Sequence, residues 1–166
     1  TPEFENMKVR YPQLVISKDL DPGLSCIKGS PVHLSKTVMN LILNAAESIS
    51  GPGKVTIQTW NTYLDSPIRG YDKISEGEYA VLAISDTGIG ISPEDVKNIF
   101  EPFYTKKVMG RSGTGLGLAV VWGTVKDHGG YIDVQSDKGC GSTVTLYFPV
   151  SVGDAVREEG PASQVS

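Results

Sequence analysis

Three sets of residues in this 166-residue chain combine type and spacing in ways that can do chemistry. The first is Asn40, Asn44 and Glu47, at i, i+4 and i+7 within residues 32–50. At about 100° per residue they fall within roughly 60° of arc, so on a helix they share one side. Asn is a poor helix former. Its side-chain oxygen is a neutral ligand for a hard cation such as Mg²⁺ and leaves coordination positions for phosphate and water. One solvated edge of an amphipathic helix explains the trio equally well. The second set is Asp86, which closes an apolar run and is followed by Gly88 and Gly90. A carboxylate there can accept from an exocyclic amine such as adenine N6 and disfavours guanine, which presents a carbonyl. An Asp that merely starts a turn is the plainer alternative. The third is Gly113-Thr114-Gly115-Leu116-Gly117, directly before an apolar helical pattern. Backbone N–H groups and the dipole at such a helix start can face an anion. The spacing lacks the Lys-Ser/Thr ending of a P-loop and is not the dinucleotide G-x-G-x-x-G, so a flexible hinge stays open as the other reading.

The elements that must hold these residues follow from periodicity. Leu34, Val38, Leu41, Ile42, Ala45 and Ile49 recur at helical spacing, which predicts a helix over residues 32–50. Ser30 caps it, Pro31 suits its first position, and Gly51-Pro52-Gly53 stops it. Residues 9–17 alternate as a strand, with Pro12 confining it to an edge or an irregular start. Residues 19–29 read as a loop, 54–60 as a half-buried strand, 64–77 as a polar hairpin excursion and 78–86 as a continuous apolar strand. Ser92-Pro93-Glu94-Asp95 starts a short helix with acidic residues toward the positive end of its dipole. Residues 105–115 are loop-like, 116–128 form a second long helix, and 131–136 and 142–149 form a closing hairpin. Two hairpins with too few helices to cover both faces predict a two-layer α/β sandwich, with an antiparallel or mixed sheet helix-covered on one side.

Composition narrows the function. Charged residues make up 20% and hydrophobic residues 39%, with a net charge of −4, which is ordinary for one globular domain. That charge leaves no basic footprint for nucleic acid or an anionic membrane, so any polyphosphate must be held locally. Cys26 and Cys140 have neither metal-ligand spacing nor a disulfide framework, which points to a reduced, cytoplasmic setting. No run approaches a membrane span, and the start carries no signal-peptide pattern.

Five segments in order resemble the N, G1, F, G2 and G3 boxes of the catalytic ATP-binding domain of sensor histidine kinases. They are Asn40-Leu41-Ile42-Leu43-Asn44-Ala45, Asp86-Thr87-Gly88-Ile89-Gly90, Ile99-Phe100-Glu101-Pro102-Phe103-Tyr104-Thr105-Lys106-Lys107, Gly113-Thr114-Gly115-Leu116-Gly117-Leu118 and Gly139-Cys140-Gly141-Ser142-Thr143. The resemblance spans roughly residues 9–149 and is strongest to nitrogen-regulation-like and hybrid kinases. It implies an α+β domain over residues 9–150 with the Bergerat-type ATP-binding fold shared with gyrase and chaperone ATPases. That fold is a mixed, mostly antiparallel sheet of about five strands covered on one face by three helices. Residues 1–8 then read as an appended or linking segment, and residues 151–166 as a disordered tail or linker.

Carried over position by position, the resemblance makes Asn44 a Mg²⁺ ligand and places Asn40 on the metal or its water shell, both counted as catalytic. Asp86 would bind adenine, Gly88 and Gly90 would shape its pocket, and Thr143 would support the base. Gly113, Thr114, Gly115, Leu116 and Gly117 would line the triphosphate of ATP, with Phe100 and Phe103 anchoring the lid. Lys106 and Arg111 are the expected cationic contacts to the outer phosphates. Glu47 departs from kinases that place a Lys there. ATPase relatives carry a Glu at the position of Asn40, where it can serve as general base on water; an amide cannot, which favours a protein-histidine kinase over a hydrolase.

The kinase phosphoacceptor motif is missing, and His33 and His128 read as structural. The expected partners are therefore a phosphoacceptor helical-hairpin domain of the same, homodimeric parent and a response regulator receiver domain, in two-component signal transduction with no nucleic acid. The setting is cytoplasmic, or the cytoplasmic part of a membrane-bound sensor. A gyrase-type ATP hydrolase and a non-catalytic nucleotide sensor are the alternatives.

Overall fold

In a computed structural model that describes residues 2–101 and 117–151, the sheet is built around the apolar strand that ends on Asp86. The described elements are α1 (Pro2–Arg10), β1 (Leu14–Asp19), α2 (Pro31–Glu47), β2 (Gly53–Leu64), β3 (Ile68–Arg69), β4 (Lys73–Ile74), β5 (Gly77–Asp86), α3 (Pro93–Val96), α4 (Gly117–Asp127), β6 (Tyr131–Ser136) and β7 (Ser142–Pro149). Five strands form one sheet in the order β1-β2-β5-β7-β6, and β3 pairs with β4 separately. β1 runs parallel to β2, while β2–β5, β5–β7 and β7–β6 are antiparallel. The sheet is mixed and mostly antiparallel, as expected, and α2 is the crossover that its parallel pair requires.

β5 lies at the centre, where both of its faces are covered, and this explains its unbroken apolar run. Ala80, Leu82 and Ile84 face the main core with Leu41, Ile42 and Ala45 of α2 and Leu118, Val121 and Val125 of α4. Tyr79 and Val81 point the other way, into a smaller cluster capped by Ile74. The polar excursion of residues 65–76 supplies that cap and then wraps the exposed edge of β6. Tyr71 N–H donates to Asp133 Oδ1 at 3.1 Å, and Ile132 N–H donates to Asp72 Oδ2 at 3.3 Å. Asp72 pairs with Lys126 of α4, whose ammonium also lies over the Trp122 and Tyr131 rings. An edge strand with unpaired backbone groups is thereby shielded.

The first strand differs from its expected place. Residues 2–10 are helical, Pro12 sits in the turn that Leu14 N–H closes on Tyr11 O, and β1 begins only at Leu14. Val9 and Tyr11, which made the segment look alternating, lie outside the strand, and Val9 is exposed. α2 also stops short of Gly51, with Ser48 as its C-cap. The Ser48 carbonyl is drawn away from the helix to accept Ile89 N–H at 3.1 Å. At the other end Ser30 Oγ accepts His33 N–H, with Pro31 following it, as the sequence predicts.

Candidate nucleotide site

Asn44, Ala45 and Ser48 at the end of α2 form one wall of a cleft; Ile84 and Asp86 of β5 with Ser142 and Val144 of β7 form the floor, and Gly90, Ile91, Ile99 and Leu118 complete it. Strand alternation sets this arrangement. Ile84 pairs with Val144 and Asp86 with Ser142, so all four project to the helix side at the strand ends. Asn44 is placed there because α2 lays its apolar stripe on the same face.

The loop after Asp86 is held through its backbone groups, by backbone and side-chain partners. Gly88 N–H donates to Asp86 Oδ1 at 2.8 Å, and Gly139 N–H donates to Ile89 O at 2.6 Å. Ser136 Oγ accepts Ile91 N–H at 2.7 Å and lies 2.7 Å from Ser142 Oγ. Gly141 has φ +85, and a Cβ there would collide with the carbonyl oxygen of Asp86. Only glycine fits that position, so the second hairpin can close directly on the strand end that carries the carboxylate.

The sequence-predicted residues do not all fall in one place. Asn44, Asp86 and Gly90 share the cleft. Asn40 sits one turn earlier on α2 and faces the start of α4, its Cγ being 4.0 Å from where a Cβ on Gly117 would stand. Gly88 lies against Ser48 just outside the lining. Thr143 occupies the opposite face of the sheet, with its hydroxyl 2.9 Å from Ser85 Oγ, and its neighbour Ser142 takes the place in the cleft. Phe100 is buried, its ring 5.5 Å from that of Trp122. Phe103, Lys106, Arg111, Gly113, Thr114, Gly115 and Leu116 lie outside the described residues. Sequence reasoning missed Ser142 and Ser48; the pairing of Asp86 with Ser142 is the signal that would have found the first.

Neither histidine enters the cleft. His33 begins α2 on its exposed side. His128 Nδ1 lies 2.7 Å from Thr124 O, and its Nε2 accepts Ser30 N–H at 3.0 Å, which joins the end of α4 to the start of α2. Among the described residues no cluster of three or more His, Cys, Asp or Glu could hold a metal. No described helix is long and apolar enough to cross a membrane.

The described layers are thus a mixed five-stranded sheet and helices over the face on which Asn44 and Asp86 line one cleft. Residues 29–152 match the family described as histidine kinase-, DNA gyrase B- and HSP90-like ATPase, and the chain belongs to that family. Sensor kinase CckA of Brucella abortus is 33% identical over 138 residues, 82% of this chain and 14% of CckA. The signal transduction histidine-protein kinase AtoS of Escherichia coli is 38% identical over 133 residues, 80% of this chain and 19% of AtoS. The chain thus spans less than a fifth of either relative. Among solved structures, a mycobacterial sensor histidine kinase, MprB, superposes with a TM-score of 0.68 at 25% identity, covering 90% of each chain. Full-length ShkA in complex with AMPPNP shares the fold with a TM-score of 0.67 at 22% identity over 92% of this chain and 30% of ShkA.

Proposed function

We propose that this chain is the catalytic domain of a protein-histidine kinase. It binds ATP with Mg²⁺ and presents the γ-phosphoryl group to a histidine on a helical-hairpin domain of its parent, in two-component signalling. The observation that carries the reading is one cleft that Asn44 and Asp86 both line. Asp86 accepts from adenine N6 and rejects the guanine carbonyl. Asn44, with Asn40 a turn away, supplies neutral oxygen to Mg²⁺, a donor type suited to an ion that shares its shell with phosphate and water. When bound, the ion supplies charge neutralisation of the phosphates.

Asn40 stands beside the start of α4 and has an amide where a water-activating carboxylate would be needed. The chain therefore holds ATP without spending it on water. Both of its own histidines lie elsewhere, which supports a phosphoacceptor supplied by another domain. The transfer forms an N–P bond to that imidazole and breaks the bond to ADP. Lys106 and Arg111 are the proposed contacts to the outer phosphates, Gly113 to Gly117 the triphosphate lining, and Phe103 a lid anchor. The parent is proposed to be a cytoplasmic, or cytoplasm-facing, homodimer that passes the phosphoryl group to a response regulator receiver domain.

Calorimetric titration with non-hydrolysable ATP and GTP analogues, with and without Mg²⁺, tests the reading. Saturable, Mg²⁺-assisted and adenine-selective binding is expected. Asp86→Asn should remove most of the base preference, and Asn44→Ala most of the Mg²⁺ dependence. A folded wild-type chain that binds neither analogue refutes the proposal.

A further inference from the structure

Ser48 is the junction between the helix that carries the Asn pair and the loop that carries Asp86. It is 8% exposed, so its polar atoms are committed to protein. Its N–H reaches Asn44 O and Ala45 O, and its carbonyl accepts Ile89 N–H. Its hydroxyl lies 2.8 Å from Ala45 O and 3.2 Å from Asp86 Oδ1. One hydroxyl proton serves these two acceptors. Ala45 O already receives a backbone N–H, whereas the carboxylate is charged and gains more from a donor.

Gly88 completes the arrangement. Its N–H donates to the same Asp86 Oδ1 at 2.8 Å. A Cβ on Gly88 would strike Ser48 Oγ and stand 2.6 Å from Ser48 O. The missing side chain is what lets the loop lie directly on Ser48. Two donors, one from α2 and one from the loop, therefore meet on a single carboxylate oxygen and fix the rotation of the Asp86 side chain. Rotation decides which way the other oxygen points.

We infer that Ser48 is a positioning residue for base selection: it holds the Asp86 carboxylate in the orientation that accepts from adenine N6 and opposes the guanine carbonyl. This rests on the nucleotide reading of Asp86 given above. Removing the hydroxyl takes one of these two donors from Asp86 Oδ1 and loosens the rotation that they fix. A serine that only capped α2 would act differently. Its loss would lower stability and weaken every nucleotide alike, whereas loss of a positioning serine changes the ratio between bases.

The experiment is calorimetric titration of wild type, Ser48→Ala, Ser48→Cys and Asp86→Asn with Mg²⁺-ADP and Mg²⁺-GDP, with thermal unfolding of each variant. Ser48→Ala should lower the ADP-to-GDP affinity ratio by about fivefold, the worth of one net hydrogen bond. Ser48→Cys, similar in size but a weak donor, should shift the ratio in the same direction and stands in if the alanine variant does not fold. Asp86→Asn should lower the ratio further. Wild-type ratios in both Ser48 variants, with the preference lost in Asp86→Asn, overturn the inference and leave the nucleotide reading intact. No ADP preference in wild type, or one unchanged in Asp86→Asn, overturns both.

Discussion

At the Asp86 end of the cleft, backbone closes on backbone: Gly139 on Ile89, Ile89 on Ser48, and Gly141 against the Asp86 carbonyl. Toward the other end of the strands, side chains do the closing. Tyr71 meets Phe100 and Trp122 edge-on at 5.4 and 6.1 Å, and Asp72 pairs with Lys126. At Gly141 the first kind of closure admits no extra atom. Ring clusters and ion pairs re-pack when one member changes. The base contact proposed for Asp86 falls at the unyielding end, and the ring cluster at the other end keeps the helix layer seated.

Substitutions at each end test that contrast. The largest effect is expected for Gly141→Ala, where a Cβ meets the Asp86 carbonyl and φ is positive. Denaturant unfolding should show a loss of about 3 kcal/mol or more, with base selectivity lost as well. An unchanged midpoint would mean that the closure yields after all. Tyr71→Ala removes two ring pairs and should cost about 2 kcal/mol in the same assay, with the ADP-to-GDP ratio unaltered. A changed ratio would join the two ends and break the comparison. Asp72→Asn removes one partner of a partly exposed ion pair (side chains 32% and 18% exposed), and about 1 kcal/mol or less is expected by thermal unfolding.

The smallest effect is alkaline. Burial holds the Tyr71, Tyr79 and Tyr147 phenols above their ordinary 10.0, with Asp72, Tyr131 and Asp133 respectively adding to it. As pH rises past 10 the unfolded chain loses phenolic protons that the folded chain keeps. The folded state then binds more protons, and stability falls with pH; below 10 the contribution is fully present. Urea midpoints should decline across about pH 9–11, and Tyr79→Phe should flatten the decline.

Periodicity predicted β6 and β7 with the bounds the structure shows, because their turn is marked by glycines and their alternation is unbroken. It failed at residues 9–17, where three residues of chance alternation preceded Pro12 and the pattern could not distinguish a helix end from a strand start. That Asn44 and Asp86 would share one cleft was legible because each stands near the end of its element. Thr143 was not: in a strand, a shift of one residue exchanges faces, and only the pairing of β5 with β7 shows that Ser142 is the one facing the cleft. Ser48 was hidden for another reason. Its hydroxyl acts on a residue 38 positions away, and no local pattern marks such a partnership.

α2 also carries the chain across from β1 to β2, the one parallel pair among the described strands. β1 pairs on one side only, and an edge strand opens more readily in local fluctuations than a central one. The amides of Leu14–Asp19 should therefore exchange with solvent sooner than those of β5, and they are the place where tightening of the Asn-bearing helix would become visible as slowed exchange.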